Sequence, residues 1–262
     1  TNPTPATPEP EIINQAPPGG IIGQAPPAPA QSAWQSAGFG CFSGSTLVHR
    51  QSEVGHREWV SLDRVEIGDV IEVAKDKFEP IYAFGHINPD EEGSYMELNF
   101  DQEQEPLQIT EEHLIWTLNK GAVPAGSLKV GQEVVLAGGY ATTVTSMQMK
   151  TSKGVYAPFT PSGTLVLNHG IMASSYVSLT TYTRLPLIPS AYHHLIAHFF
   201  TFPHRFSCHY QSTCPNATYT EEGINVWEVQ LLSYIRLSLQ LSALVLLLVL
   251  IVRSRCSCNK QL

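Results

Sequence analysis

Cys41 sits where a thiol can react. It follows Gly40 in the run Gly38-Phe39-Gly40-Cys41-Phe42-Ser43-Gly44, and a glycine leaves the carbonyl ahead of the cysteine sterically open. The sulfur can attack that carbonyl and turn the Gly40-Cys41 amide into a thioester, an N-to-S acyl shift. The amide nitrogen leaves readily only when it is protonated. Thr110 and His113, in Leu107-Gln108-Ile109-Thr110-Glu111-Glu112-His113-Leu114, are three residues apart. If the chain turns there, a hydroxyl and a ring nitrogen reach one backbone amide. The alternative for Cys41 taken alone is a buried thiol serving as a small apolar side chain.

These residues need a scaffold. From Phe39 to about Leu179, short apolar runs are separated by Gly, Pro, Asp or Asn. Examples are Ser45-Thr46-Leu47-Val48, Asp69-Val70-Ile71-Glu72-Val73, Met96-Glu97-Leu98-Asn99-Phe100, Glu133-Val134-Val135-Leu136 and Thr164-Leu165-Val166-Leu167. Several alternate apolar with polar, which predicts an all-β domain. The 262 residues can bury a real core. Fifteen Lys+Arg against 23 Asp+Glu give a net charge of −8, which argues against a role in holding nucleic acid backbone. Charged residues are only 15% of the chain, against roughly 25% in typical soluble domains, and the deficit lies at the ends.

At one end, nine of the nineteen prolines fall within the first thirty residues, so 1–37 reads as a Pro/Ala/Gly-rich flexible linker. At the other, 229–252 is a nearly continuous apolar run. As a helix its 24 residues reach about 36 Å, enough for a hydrocarbon core of roughly 30 Å. This predicts a single transmembrane helix. The tail 253–262 carries Arg253, Arg255 and Lys260 with no acid, placing the C-terminus in the cytosol and the body in the lumen or outside the cell. Asn216-Ala217-Thr218 is then an N-glycosylation acceptor, and Cys256 and Cys258 are palmitoylation candidates just past the span. Thr1 opens the sequence, and an N-terminal secretory signal can lie ahead of it.

With these motifs the sequence resembles the Hint module shared by inteins and the autoprocessing domain of Hedgehog proteins. The likeness covers about 39–180. It rests on Gly40-Cys41-Phe42, on Leu62-Asp63-Arg64-Val65-Glu66-Ile67-Gly68-Asp69-Val70, and on Thr110-x-x-His113. It also rests on Tyr156-Ala157-Pro158-Phe159-Thr160 through Gly163-Thr164-Leu165-Val166-Leu167-Asn168, followed by Ala173-Ser174-Ser175-Tyr176. The last run is similar to the Hedgehog branch. The resemblance implies a compact, pseudo-symmetric all-β horseshoe over 38–180. It also implies Cys41 as nucleophile, His113 as the group assisting loss of the amide nitrogen, and Thr110 as its hydrogen-bonding companion. Asn168-His169-Gly170 reverses the order that intein ligation uses, so cleavage without ligation is expected. Two positions depart from the family. His86 stands where sterol-transferring Hedgehog proteins have an Asp; a neutral imidazole can still act as base toward a hydroxyl or water. Ser175 replaces a frequent Cys and can form no disulfide.

Residues 181–228 read as a lumenal extension with His193, His194, His198, His204, His209, Cys208 and Cys214. Three readings stand: a Cys208–Cys214 disulfide, a zinc site from His194, His198 and Cys208, or neither. No resident metal or cofactor is expected. The expected function is a single-turnover self-cleaving domain that makes a thioester at Gly40-Cys41. A second nucleophile (a sterol, another lipid alcohol or water) then resolves it and releases the upstream polypeptide, the domain's own substrate. Membrane lipid is the other expected partner. The rivals are a cysteine peptidase acting in trans and a non-enzymatic membrane glycoprotein.

Overall fold

The computed structural model describes residues 40–101, 105–168, 170–180, 188–211, 218–231 and, singly, 233, 234, 237, 238, 240 and 241, without the side chains of 209–211. Asn216, Cys214, Cys256, Cys258, the 1–37 arm and more than half of the expected span lie outside them. No helix among the described residues is long and apolar enough to cross a membrane.

Strands dominate. Thirteen form one hydrogen-bonded network: β1 (Phe42–Ser43), β2 (Leu47–Gln51), β3 (Arg57–Ser61), β4 (Val70–Ala74), β5 (Lys77–Pro80), β6 (Ala83–Phe100), β7 (Leu107–Ile109), β8 (His113–Thr117), β9 (Gly121–Pro124), β10 (Glu133–Val135), β11 (Ala141–Phe159), β12 (Thr164–Leu167) and β13 (Ile171–Val177). The order is β1-β7-β6-β11-β10-β8-β13-β12-β2-β4-β5, with β3 on β2 and β9 on β8. Two helices follow, α1 (His193–Phe200) and α2 (Phe202–Gln211). Residues 226–231 are helical as well.

The short apolar runs became strands where they were expected. β4 alternates buried Ile71 and Val73 with half-buried neighbours, the pattern of a sheet with one wet face. β12 and β13 bury nearly every residue because they lie inside the network. The long arms β6 and β11 were not anticipated. They pair antiparallel from Ala83↔Phe159 to Phe100↔Val144, with register shifts at Val144/Ser146, Lys153/Val155 and Tyr156/Pro158. Pro89, Gly93, Gly154 and Pro158 read as interruptions in a sequence, but the shifts accommodate an irregular residue without ending the strand. Gly154 lies at φ +85°, and a Cβ there would stand 3.1 Å from the Gly44 Cα. Only glycine allows the β1 loop to approach that closely.

The main core gathers Phe42, Val48, Leu62, Ile71, Ile81, Phe84, Leu98, Ile109, Ile115, Leu165 and Ile171 among others. Phe42 belongs to it while its neighbour Cys41 packs in a second cluster with Tyr95, Val155 and Ala157. The residue after Cys41 therefore anchors β1 against β7 and β11.

Candidate active site

The Thr110–His113 segment turns as its spacing requires. β7 ends at Ile109, the His113 N–H donates to the Thr110 carbonyl at 3.1 Å, and β8 begins at His113. The turn places both side chains toward the start of β1. Thr110 brackets Cys41: the Cys41 N–H donates to Thr110 Oγ1 at 3.0 Å, and the Thr110 N–H donates to the Cys41 carbonyl at 3.0 Å. The hydroxyl is thus on the nitrogen of the Gly40-Cys41 amide.

The His113 ring is fixed by Phe42, with centroids 4.2 Å apart. Its Nε2 is 2.8 Å from the Ser174 carbonyl, which only an N–H can satisfy, so Nε2 carries the hydrogen. Nδ1 is bare, buried and without a hydrogen-bond partner. It faces Gly40: a Cβ built on that glycine would lie 2.9 Å from His113 Nδ1, 3.1 Å from Thr110 Oγ1 and 2.0 Å from Val177 Cγ1. Position 40 admits glycine alone, a consequence of β13 packing that no spacing rule foretells. Burial pushes His113 down to about 4, against the smaller raising effects of the Ser174 carbonyl and of the Gly40 backbone nearby, so the ring is neutral near pH 7.

His86, on β6, lies on the other side of Cys41. Its Nδ1 is 3.4 Å from Cys41 Sγ and its Nε2 is 2.7 Å from the Glu222 carbonyl. The same reasoning assigns the hydrogen to Nε2 and the lone pair to Nδ1, facing the thiol. Burial lowers His86 to about 4, partly opposed by Glu222. Burial, with a smaller contribution from Glu91, holds the Cys41 thiol well above its ordinary value. The resting pair is a neutral thiol donating to a neutral imidazole. His86 was expected to serve a second nucleophile; its ring lies against the Cys41 thiol.

The segment carrying Glu222 is stitched to β6. Ile224 bridges His86, the Ile87 N–H donates to the Gly223 carbonyl at 2.9 Å, the Asn225 N–H donates to the Gly85 carbonyl at 2.9 Å, and Asn225 Nδ2 reaches the Phe84 carbonyl at 3.1 Å. No sequence signal marks residues 219–225 as partners of His86 and β6, because their contribution is made mainly by backbone.

A cavity of ≈ 70 Å³ opens beside Gly40 and His86, walled mainly by Phe159, Val177, Phe200 and Leu231 and including Ser175 and Glu228. Ser175 is 3% exposed and its hydroxyl has no hydrogen-bond partner; Glu228 Oε1 is likewise buried and unpartnered. Sequence reasoning passed over Glu228. Its only signal is a lone acid in the apolar run Ile224-Asn225-Val226-Trp227-Glu228-Val229.

The remaining histidines have other tasks. His194 Nδ1 is 2.9 Å from Ser174 Oγ, His193 Nδ1 is 3.1 Å from Ser178 Oγ, and His198 Nδ1 is 3.2 Å from Tyr176 Oη, with Arg205 Nη1 at 3.0 Å. They fasten α1 to β13 and the strand end. Cys208 is disulfide-bonded, with its partner outside the described residues, which removes the thiolate of the zinc alternative. Among the described residues no three His, Cys, Asp or Glu side chains converge as metal ligands do.

The chain is similar to several solved structures. The gp41-1 intein matches over 52% of this chain and 98% of its own at 14% identity, with a TM-score of 0.42. A DnaB intein from Synechocystis sp. PCC 6803 matches over 53% and 100% at 16% identity, with a TM-score of 0.43. A bacterial intein-like domain from Clostridium thermocellum matches over 51% and 97% at 14% identity, with a TM-score of 0.42. The Hint module family profile matches residues 28–240. With a buried Cys41 held between Thr110, His113 and His86 inside that match, the chain belongs to the Hint module family.

Proposed function

We propose that the protein cleaves itself once at Gly40-Cys41 through an N-to-S acyl shift. The observation that carries this reading is the double grip on one peptide unit: Thr110 Oγ1 on the Cys41 nitrogen and His86 Nδ1 on the Cys41 sulfur. Sγ gives its proton to His86 Nδ1 and attacks the Gly40 carbonyl carbon. The C–N bond breaks as the C–S bond persists, and the freed nitrogen takes a proton. That proton is the one Sγ gave up, and His113 Nδ1, bare at rest beside Gly40, is the proposed atom that receives it and hands it to the nitrogen. Its burial makes the protonated ring a stronger acid than a solvated imidazolium, ready to pass the proton on. A second nucleophile then attacks the thioester and releases everything upstream of Cys41. Sterol, another lipid alcohol and water are the acceptors proposed, and 229–252 is the proposed membrane anchor.

Dithiothreitol or hydroxylamine supplied to the purified chain with an upstream fusion tests the first step. Both should hasten release of a fragment ending at Gly40, and Cys41→Ala should abolish it. A chain that stays intact with thiol present, indistinguishable from Cys41→Ala, would refute the acyl shift. Turnover of added peptides without internal cleavage would favour a peptidase acting in trans.

A further inference from the structure

His86 has no lone pair to offer an incoming hydroxyl in the resting site, since Nε2–H is given to Glu222 and Nδ1 to the thiol. The second step still needs a base. The cavity that exposes Gly40 also contains a carboxylate and a hydroxyl with unmet hydrogen-bonding capacity, Glu228 Oε1 and Ser175 Oγ. Buried polar atoms are rarely left without partners, and two lining one cavity suit it to a polar group of a ligand. The volume of ≈ 70 Å³ exceeds the roughly 10–15 Å³ that one water needs. The rest of the lining is mainly apolar, with His86, Tyr176 and Thr201 among it, so the group that fits is a hydroxyl, either of water or of an alcohol with an apolar body.

We infer that Glu228 is the base for the second nucleophile and that Ser175 holds that nucleophile's hydroxyl against it. This rests on the thioester reading above. The Glu228 carboxylate takes the hydroxyl proton, and the oxygen attacks the Gly40 thioester carbonyl. The tetrahedral adduct collapses with cleavage of the C–S bond, and Cys41 leaves as thiolate; the proton that Glu228 accepted ends on that sulfur, which restores both groups. No further reactant is required. The carboxyl group suits the task, because burial raises it to about 7 and it is both available as carboxylate and basic enough to accept a proton near neutrality. The neighbouring phenols do not compete: burial holds Tyr82 and Tyr176 above their ordinary range, with Glu228 adding to both.

The test compares Glu228→Gln with the wild-type chain, each carrying an upstream fusion. Release is followed by intact mass in water alone, with 1-octanol, with cholesterol in detergent micelles, and with dithiothreitol. A preformed thiolate needs no base from the protein, so Glu228→Gln should keep dithiothreitol cleavage at the wild-type rate. It should lose thiol-free release by about 10²-fold or more, the range of a positioned general base. The mass added in the wild-type reaction tells water from alcohol. Retained thiol-free release in Glu228→Gln overturns the assignment, as does equal loss of both reactions or a wild type that shows no thiol-free release. Failure of dithiothreitol cleavage in the wild type would instead refute the thioester itself.

Discussion

Replacing Gly40 by alanine probes the seat of the scissile bond. A Cβ at that position would lie 2.0 Å from Val177 Cγ1, whereas carbon atoms in contact prefer about 3.5–4.0 Å. The methyl must therefore gain about 1.5 Å of clearance. It cannot swing aside, because His113 Nδ1 at 2.9 Å and Thr110 Oγ1 at 3.1 Å close the other directions. Val177 is 7% exposed and paired with His113 across β13 and β8, so movement of its side chain is transmitted to the histidine. Overpacking of this kind costs about 1–3 kcal/mol, which lowers Tm by about 2–12 °C in a domain of this size. Misplacing reacting atoms by about 1 Å costs roughly 10²-fold in rate. Gly40→Ala should then slow dithiothreitol-induced release about 10²-fold, read by gel densitometry, with thermal unfolding followed in parallel. Combining it with Val177→Ala, which removes the nearest carbon, should recover a large part of the rate relative to Val177→Ala alone. Wild-type cleavage in Gly40→Ala, or a double variant no faster than Gly40→Ala, would refute the steric account.

His86→Gln should slow dithiothreitol-induced cleavage as well as thiol-free release, because the ring accepts from the Cys41 thiol; loss of thiol-free release alone would return His86 to the second nucleophile. Thr110→Val keeps the shape but leaves the buried Cys41 N–H unpaired, and should lower unfolding free energy by about 1–3 kcal/mol in urea titrations while slowing cleavage. Stability should peak near pH 6.5–7. His86, His113, His194 and His204 are lowered from 6.5 to about 4, so in that interval unfolding takes up protons and stability falls as pH falls. Glu228 is raised from 4.5 to about 7, so unfolding releases its proton and stability falls as pH rises through that range. Between 4.5 and 6.5 the four histidines outweigh the one acid. Urea midpoints that are flat across pH 4.5–6.5 in Cys41→Ala, which cannot cleave itself, would contradict these shifts.

Side-chain chemistry at fixed spacing was legible: Gly40-Cys41 and Thr110-x-x-His113 announced a thiol, an open carbonyl and a turn, and the structure brings those four residues together with His86. The alternating runs announced strands such as β4 and β12 for the same reason, since one face of each meets the core. What stayed hidden was made by backbone or by distant packing. The Glu222 and Ser174 carbonyls, which set both histidine tautomers, have no side-chain signature, and Glu222 arrives 136 residues after His86. Val177 enforces glycine at position 40 only because β13 crosses there. The histidines of α1 looked like ligands from their i, i+4 spacing, yet spacing does not show that Ser174, Tyr176 and Arg205 already occupy them.

The tie between His86 and Glu222 bears on timing during synthesis. A ribosome delivers Cys41 first and His86 soon after, but the carbonyl that turns the imidazole lone pair toward the sulfur comes 136 residues after His86. A nascent polypeptide that has folded its strands still lacks that contact. On the proposed reading, self-cleavage is withheld until the segment around Glu222 has emerged and docked on β6, and whatever precedes Cys41 stays joined to it until then.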